Sequence, residues 1–143
     1  MAKQFYIKLQ SPFIEMPVEA EDASGKVSSL LVGFKRYPTK EVEVKLNSFK
    51  DLTEDQYVEY LKNEILYIKN AVLEVYDGGV YVEDLVIEDT RTAKPNEFFQ
   101  EADNVLVVLL EYYLSSAPWK NSLFSAFIKS LYNVSFKEAE LKN

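Results

Sequence analysis

Apolar and polar residues alternate in the first third of the chain, which predicts β-strands. Residues 4–10 have a period of two. Residues 13–20 repeat it, and the positions predicted to face inward are Ile14, Met16, Val18 and Ala20. Pro17 falls on the outward side, and because proline cannot donate a ladder hydrogen bond we expect an edge strand. Residues 21–26 have turn composition and residues 27–34 return as a strand, so an antiparallel β-meander is predicted.

Helical spacing begins after this meander. Thr39 to Phe49 fits either a strand or a helix, and the helix is favoured because apolar residues recur at i, i+4 and i+7. Thr53 followed by Gln56 three residues later forms a capping-box pattern. A helix is therefore predicted from Thr53 to Asn70, and its apolar face would contain Tyr57, Leu61, Ile65, Ile68 and Val72.

A β-hairpin is predicted next. Asp77-Gly78-Gly79 lies between two apolar segments, and glycine permits the positive φ that tight hairpin turns need. Short strands are expected at 72–76 and 80–87. The residues from Glu88 to Glu97 form a polar connection.

Two apolar helices are predicted at the end of the chain. The first begins with Asp103 as N-cap and ends near Leu114, although its valines leave a strand as the main alternative. The second has Pro118 in its first turn, and its apolar face comprises Leu123, Phe124, Phe127, Ile128 and Leu131. The first helix is apolar on nearly all sides and needs cover on all sides. Either its neighbours bury it, or the region of Tyr112, Trp119 and Phe127 stays partly open as a contact surface.

These elements predict one α+β domain over residues 1–143. It comprises an N-terminal antiparallel β-meander, a central amphipathic helix, a short β-hairpin and two C-terminal apolar helices. Residues 1–37 would be the β-rich part, and residues 38–143 the mainly helical part containing the hairpin at 72–87.

Composition narrows the classes of function. The 143 residues include 16 basic and 23 acidic side chains, a net charge of −7, which disfavours binding to nucleic acid or anionic lipid. The chain has no histidine and no cysteine, the residues on which most nucleophile–base pairs and transition-metal sites depend. We therefore expect no enzyme activity, no cofactor and no metal. Pairs of neighbouring acids, such as Glu83 and Asp84, are interpreted as solvated charge.

The longest apolar run, Val105 to Leu110, is too short to cross a bilayer, and the N-terminus resembles no secretion signal. We expect a soluble cytoplasmic protein. One polar segment, Asp89 to Lys94, carries two cations. Two interpretations of its Arg91 stay open: it docks an acidic or carbonyl-rich partner surface, or it pairs with Asp89 within an ordinary loop.

The second half of the chain resembles the tail assembly chaperones of long-tailed, siphovirus-like bacteriophages. The resemblance lies in "DTRTAKPNE" at 89–97 and in "LEYYLSSAPWKNSLFSAFIKSLYN" at 110–133, with a further similarity in "GFKRYP" at 33–38. A Thr-Arg-Thr-like segment, a leucine-rich helix, a Ser-Ala-Pro-aromatic turn and a second helix follow in the family's order. The match covers about two thirds of the chain, and its motifs are short and aliphatic.

The resemblance implies a non-catalytic protein of the host cell cytoplasm. Such chaperones bind the tape measure protein, help recruit tail tube subunits and leave before the virion is complete; we also expect a homo-oligomer. The partner-binding residues expected here are Arg91, Leu109, Tyr112, Tyr113, Trp119, Phe124 and Phe127. The alternative is a structural tail completion or terminator protein, which forms a ring in the particle by pairing of the N-terminal strands, at the edge that contains Pro17, between subunits.

Overall fold

The computed structural model describes residues 12–94 and 105–141, with side chains up to Tyr132. Four antiparallel strands form one sheet in the order β1-β2-β3-β4, and four helices accompany it, which confirms the predicted α+β class. The elements are β1 Phe13–Glu21, β2 Val27–Lys35, α1 Thr39–Lys50, α2 Glu54–Glu64, β3 Ile65–Asp77, β4 Val80–Asp89, α3 Val105–Leu114 and α4 Ala117–Leu141. The strand predicted at residues 4–10 lies outside the described residues.

The first hairpin follows the alternation in the sequence. The four inward positions of β1 are buried, and among the described strands β1 forms one edge of the sheet, with Pro17 exposed on its outer side. The Asp22 carboxylate accepts hydrogen bonds from the backbone N–H groups of Ser24 at 2.9 Å and Lys26 at 3.0 Å. Gly25 has a φ of +88°, which glycine adopts without steric cost. The predicted edge strand and turn are therefore confirmed.

Both central helices begin where the sequence predicted. The ambiguous segment forms α1. Thr53 accepts a hydrogen bond from the Gln56 backbone at 3.3 Å, while the Gln56 side chain accepts one from the Thr53 N–H at 2.9 Å. This reciprocal pair satisfies two N–H groups that the first turn leaves without helical partners.

The predicted end of the second helix at Asn70 is wrong. The helix ends at Glu64, and residues 65–70 belong to β3. Ile65 and Ile68 both lie in the core, three residues apart, because the β2–β3 pairing contains a bulge that adds one residue to β3. The bulge gives a strand the apolar spacing of a helix turn, and pairing with β2 overrides the helical preference.

The second hairpin is longer than predicted. Gly78 and Gly79 have φ values of +60° and +82°, which confirms the predicted turn. Its strands run over 65–77 and 80–89 instead of 72–76 and 80–87, and β3 pairs with β2, so the hairpin belongs to the main sheet. β4 forms the second edge of the sheet in the described part of the chain.

The helices cover one face of the sheet. α4 packs on β1, and α1, α2 and α3 contact α4 at its sides. Leu109 and Tyr113 of α3 meet Leu123, Phe127 and Leu131 of α4 in the core. Pro118 lies in the first turn of α4 as predicted, whereas the predicted N-cap Asp103 lies outside the described residues. Aromatic rings fill the junction of α1, α2 and α4, where the contacting residues are Phe49, Tyr57, Tyr60, Phe124 and Phe127.

On the opposite face of the sheet, one aromatic ring is buried among the residues that the structure describes. Tyr67 lies across Gly33, its partner on β2, and meets Phe13 edge-on with ring centroids 5.0 Å apart. Its hydroxyl donates a 2.7 Å hydrogen bond to Glu15, which also accepts one from Lys69 at 3.2 Å. The hydrogen bond from Tyr67 and the ammonium of Lys69 lower the pKa of Glu15. Gly33 leaves the space that the ring occupies.

We expect Gly33→Ala to destabilise the protein, because a Cβ at this position would overlap the Tyr67 ring. The free energy of unfolding should fall by about 1–3 kcal/mol, as overpacking a filled site does. Urea denaturation measures it. Ser29→Ala, an exposed position of the same strand, is the control and should change stability by less than about 0.5 kcal/mol. Equal stabilities of the two variants would contradict the close contact between ring and backbone.

Candidate protein-binding cleft

The sheet divides at Asn70. Hydrogen-bonded pairing between β2 and β3 extends from Phe34 to Leu31, opposite Lys69, and stops there. Asn70 has a φ of +62°, a left-handed conformation that asparagine tolerates better than most residues. Pairing between β3 and β4 resumes beyond it from Ala71. The outer half of the β3–β4 hairpin, residues 71–87, therefore separates from β2 and projects from the sheet.

A cleft of about 610 Å³ opens where β2 and β3 part. One wall is the outer half of β3, with Val72, Glu74 and Tyr76; another is the end of the β1–β2 hairpin. The junction of α3 and α4 closes the third side with Tyr112 and Trp119, among other residues. Its volume is typical of pockets that hold a ligand or the side chains of a peptide.

Three aromatic rings in edge-to-face contact form the helical wall of the cleft. Tyr113 is buried, and its ring meets Tyr112 edge-on at 5.1 Å and Trp119 at 4.9 Å between centroids. Burial raises the pKa of the Tyr113 hydroxyl. Tyr112 itself is 56% exposed. The buried ring thus fixes two others at the cleft, where large rigid aromatic groups favour binding.

The rim of the cleft is acidic. It carries Glu21, Asp22 and Glu74 against a single ammonium, that of Lys26. Lys26 lies 3.3 Å from Glu74, whose other carboxylate oxygen accepts a 2.6 Å hydrogen bond from Tyr76. The Tyr76 hydroxyl, followed by Lys26, lowers the pKa of Glu74. The lowered pKa favours the ionised form of Glu74, and the three carboxylates outnumber the one ammonium among the lining residues, which leaves a local excess of negative charge.

The structure separates the six predicted partner-binding residues of α3 and α4 into three groups. Tyr112 and Trp119 lie at the cleft, with Tyr113 behind them. Leu109 and Phe127 are 0% exposed, so their side chains hold α3 and α4 in the core and reach no partner at this surface. Phe124 is half-buried against Phe49 and Tyr57 and does not line the cleft. The predicted opening therefore excludes Phe127, because that ring packs on Phe34 beneath the sheet.

Arg91 lies on the opposite face of the sheet. Its guanidinium makes a bidentate pair with Asp89, at 2.7 Å from Nη2 to Oδ2 and 3.0 Å from Nε to Oδ1. The same group stacks 3.8 Å from the centroid of the Tyr67 ring. The pairing with Asp89, one of the two interpretations of this segment, is what the structure shows. Since Asp89 and Tyr67 occupy the guanidinium, Arg91 anchors the end of β4.

Thr90, beside Arg91, has a structural role. Its hydroxyl accepts a 3.0 Å hydrogen bond from the N–H of Ile68, and its own N–H donates to the Ile68 carbonyl at 3.0 Å. The side chain thus completes the β3–β4 ladder where the backbone of β4 ends. Two adjacent side chains of the Thr-Arg-Thr segment, Thr90 and Arg91, therefore hold the end of β4 in place.

Sequence reasoning missed the outer hairpin as an apolar surface. Six of its side chains are 50–68% exposed: Val72, Tyr76, Val80, Tyr81, Val82 and Val86. The signal is present in "VYV" at 80–82, where three consecutive apolar residues place apolar groups on both faces of a strand. Both faces of such a strand are apolar, and each face stays exposed unless another element packs on it.

Comparison of the chain with protein-family models, curated proteins and solved structures found no match. No helix in the described ranges combines the length and the hydropathy needed to cross a membrane. Among those same residues, no three acidic side chains are grouped to hold a metal ion.

We expect Thr90→Val to lower the free energy of unfolding by about 1–3 kcal/mol, since it leaves the buried N–H of Ile68 without an acceptor. Thr90→Ser should retain most of the stability because it keeps the hydroxyl. Thr92→Val, at an exposed position two residues on, is the matched control and should change little. Thermal and urea unfolding measure all three. A Thr90→Val variant as stable as the control would show that the hydroxyl contributes nothing to the ladder.

Proposed function

We propose that this protein is a bacteriophage tail assembly chaperone. It holds an apolar segment of the tape measure protein, helps recruit tail tube subunits and is not retained in the virion. The observation that carries the proposal is the aromatic cleft beside the projecting hairpin, where Tyr76, Tyr112 and Trp119 line one opening. The order of the motifs in the second half of the chain resembles that of tail assembly chaperones and supports the same function.

Exposed apolar area supports a binding role. Two of the six half-exposed side chains of the outer hairpin, Val72 and Tyr76, line the cleft, and Tyr112 adds a third from the helical side. A contiguous exposed apolar surface is uncommon on monomeric proteins, and it often marks a site where another protein chain binds. A tape measure segment with exposed apolar side chains could bind this surface, and both apolar surfaces would then be removed from water.

Charge and chemistry fit the same role. A net charge of −7 disfavours association between loaded complexes and keeps them dispersed. Several copies along one long ligand would gain avidity from weak individual contacts. The absence of histidine and cysteine from the sequence suits a protein that binds rather than catalyses.

A tail terminator that forms a ring is the second candidate, and the β4 edge favours it. β4 is ten residues long and contains neither proline nor lysine, the residues that commonly protect an edge strand. β1, at the other edge, carries Pro17. A ring-forming protein would use β4 as its pairing edge, whereas a chaperone would use the cleft.

We expect the chain to co-purify with the tape measure protein encoded in the same phage genome when the two are co-expressed. Tyr112→Ala should weaken the complex about tenfold, as loss of a central aromatic anchor does. Tyr132→Ala, which removes a tyrosine of similar exposure outside the cleft, should leave it unchanged. Calorimetry on the purified pair gives the affinities. Equal losses in both variants would contradict binding at the cleft.

Mass spectrometry of purified virions separates the two candidates. A chaperone is absent from the finished particle, and the protein should be found only in infected-cell lysates, bound to tape measure protein. Its presence in virions at a fixed number of copies per tail would overturn the chaperone proposal and establish the ring-forming alternative.

A further inference from the structure

We infer that the cleft takes an extended, basic segment of the partner protein, which pairs with the edge of β3 that β2 leaves and places lysine or arginine side chains against the acidic rim. This inference rests on the proposed binding function and adds the chemistry and conformation of the ligand. It follows from three observations: a strand edge that no described strand pairs, a group of carboxylates that outnumbers the nearby ammonium, and aromatic rings that line the same cleft.

The strand edge is the first observation. β3 from Ala71 to Asp77 pairs with β4 on one side, and beyond Lys69 no strand within residues 12–94 or 105–141 pairs with its other side. Backbone N–H and C=O groups along such an edge form a template for an added antiparallel or parallel strand. Seven residues extend about 23 Å at strand spacing. A helix has no free backbone groups to offer this edge, so an extended ligand fits it better.

The charge pattern is the second observation. Glu74 of β3, which lines the cleft, is directly opposite Asp84 of β4, so the two carboxylates lie on the same face of the hairpin. Like charges in this cross-strand relation repel each other. Each accepts a hydrogen bond from a tyrosine, Tyr76 at 2.6 Å and Tyr81 at 3.0 Å. Lys26 bonds to Glu74. A cation supplied by the ligand would relieve the repulsion that remains.

The aromatic rings are the third observation. Tyr76 lies on the strand side of the cleft, and Tyr112 and Trp119 lie on the helical side. Their faces and edges suit both the aliphatic stem and the ammonium of a lysine side chain, and the apolar residues that alternate with it. A second copy of this chain would bring its own acidic rim against the first. Charge therefore favours a basic partner over self-association.

Trp119 makes the inference directly testable because it is the only tryptophan in the chain and lies in the cleft wall. The probe is an acetylated and amidated decapeptide of alternating valine and lysine, titrated into the full chain. We expect a saturable change in Trp119 emission that weakens as salt rises. The same peptide with glutamate for lysine should bind at least about tenfold more weakly. N-methylation of alternate amides should abolish binding, because it removes the donors that pair with β3.

Two pairs of variants locate the site. Glu74→Gln should weaken the lysine peptide about threefold, within the range of a surface charge contact. Glu59→Gln is its control, since Glu59 is also an exposed acid 3.3 Å from a lysine, Lys62, but lies on α2. Tyr112→Ala should weaken the peptide about tenfold while Tyr132→Ala leaves its affinity unchanged.

Several outcomes overturn the inference: no saturable change, equal binding of the glutamate peptide, or tighter binding of a helical lysine–leucine peptide of equal length. Sedimentation that shows dimers sensitive to Tyr112→Ala would make a second copy the occupant. If peptides fail while the tape measure protein still co-purifies, only this inference is wrong. If peptides bind as expected and the tape measure protein does not, the cleft chemistry holds and the proposed function fails.

Discussion

The change of partner by β3 at Asn70 is the constraint from which the rest of the architecture follows. Before this residue β3 pairs with β2, β4 first pairs with it at Lys69, and its core-facing side chains are buried. After it, β4 is the one described strand that pairs with β3. Because a strand edge cannot lie unpaired inside a core, the outer hairpin must lie at the surface, and the helices beneath must end in side chains that tolerate solvent. Tyr112 and Trp119 meet this requirement, since each combines an apolar ring with a polar atom.

Aromatic residues divide between two tasks across this boundary. Below it, Phe49, Tyr60 and Phe127 fill the junction of the helices with edge and tilted contacts, a geometry that ring quadrupoles favour. Above it, Tyr113 is the link, because one of its neighbours is exposed and its own side chain is buried. The aromatic content that composition alone left unassigned thus fills the core and also lines an open cleft at the surface.

Sequence patterns predicted the parts of the fold that local chemistry controls. The alternation of β1, the capping box at Thr53 and the two-glycine turn each depend on residues close in sequence, and each is confirmed. The strand at 65–70 was missed because a bulge is set by pairing with β2, and pairing is invisible to periodicity. For the site, Tyr112 and Trp119 were predicted from residue type. Leu109 and Phe127 were assigned to a surface because an apolar helix shows which residues need cover but not which neighbour provides it.

The charges of the cleft show how register can concentrate groups that the sequence disperses. Adjacent acids such as Glu83 and Asp84 point to opposite faces of a strand, so treating each neighbouring pair as separate solvated charge is sound. The β3–β4 register brings Glu74 and Asp84, ten residues apart in sequence, onto one face instead. Lys26, in the turn between β1 and β2, forms an ion pair with Glu74. A local excess of negative charge therefore arises from strand pairing as well as from composition, and a ligand at this cleft would meet this local charge before the net charge of the chain.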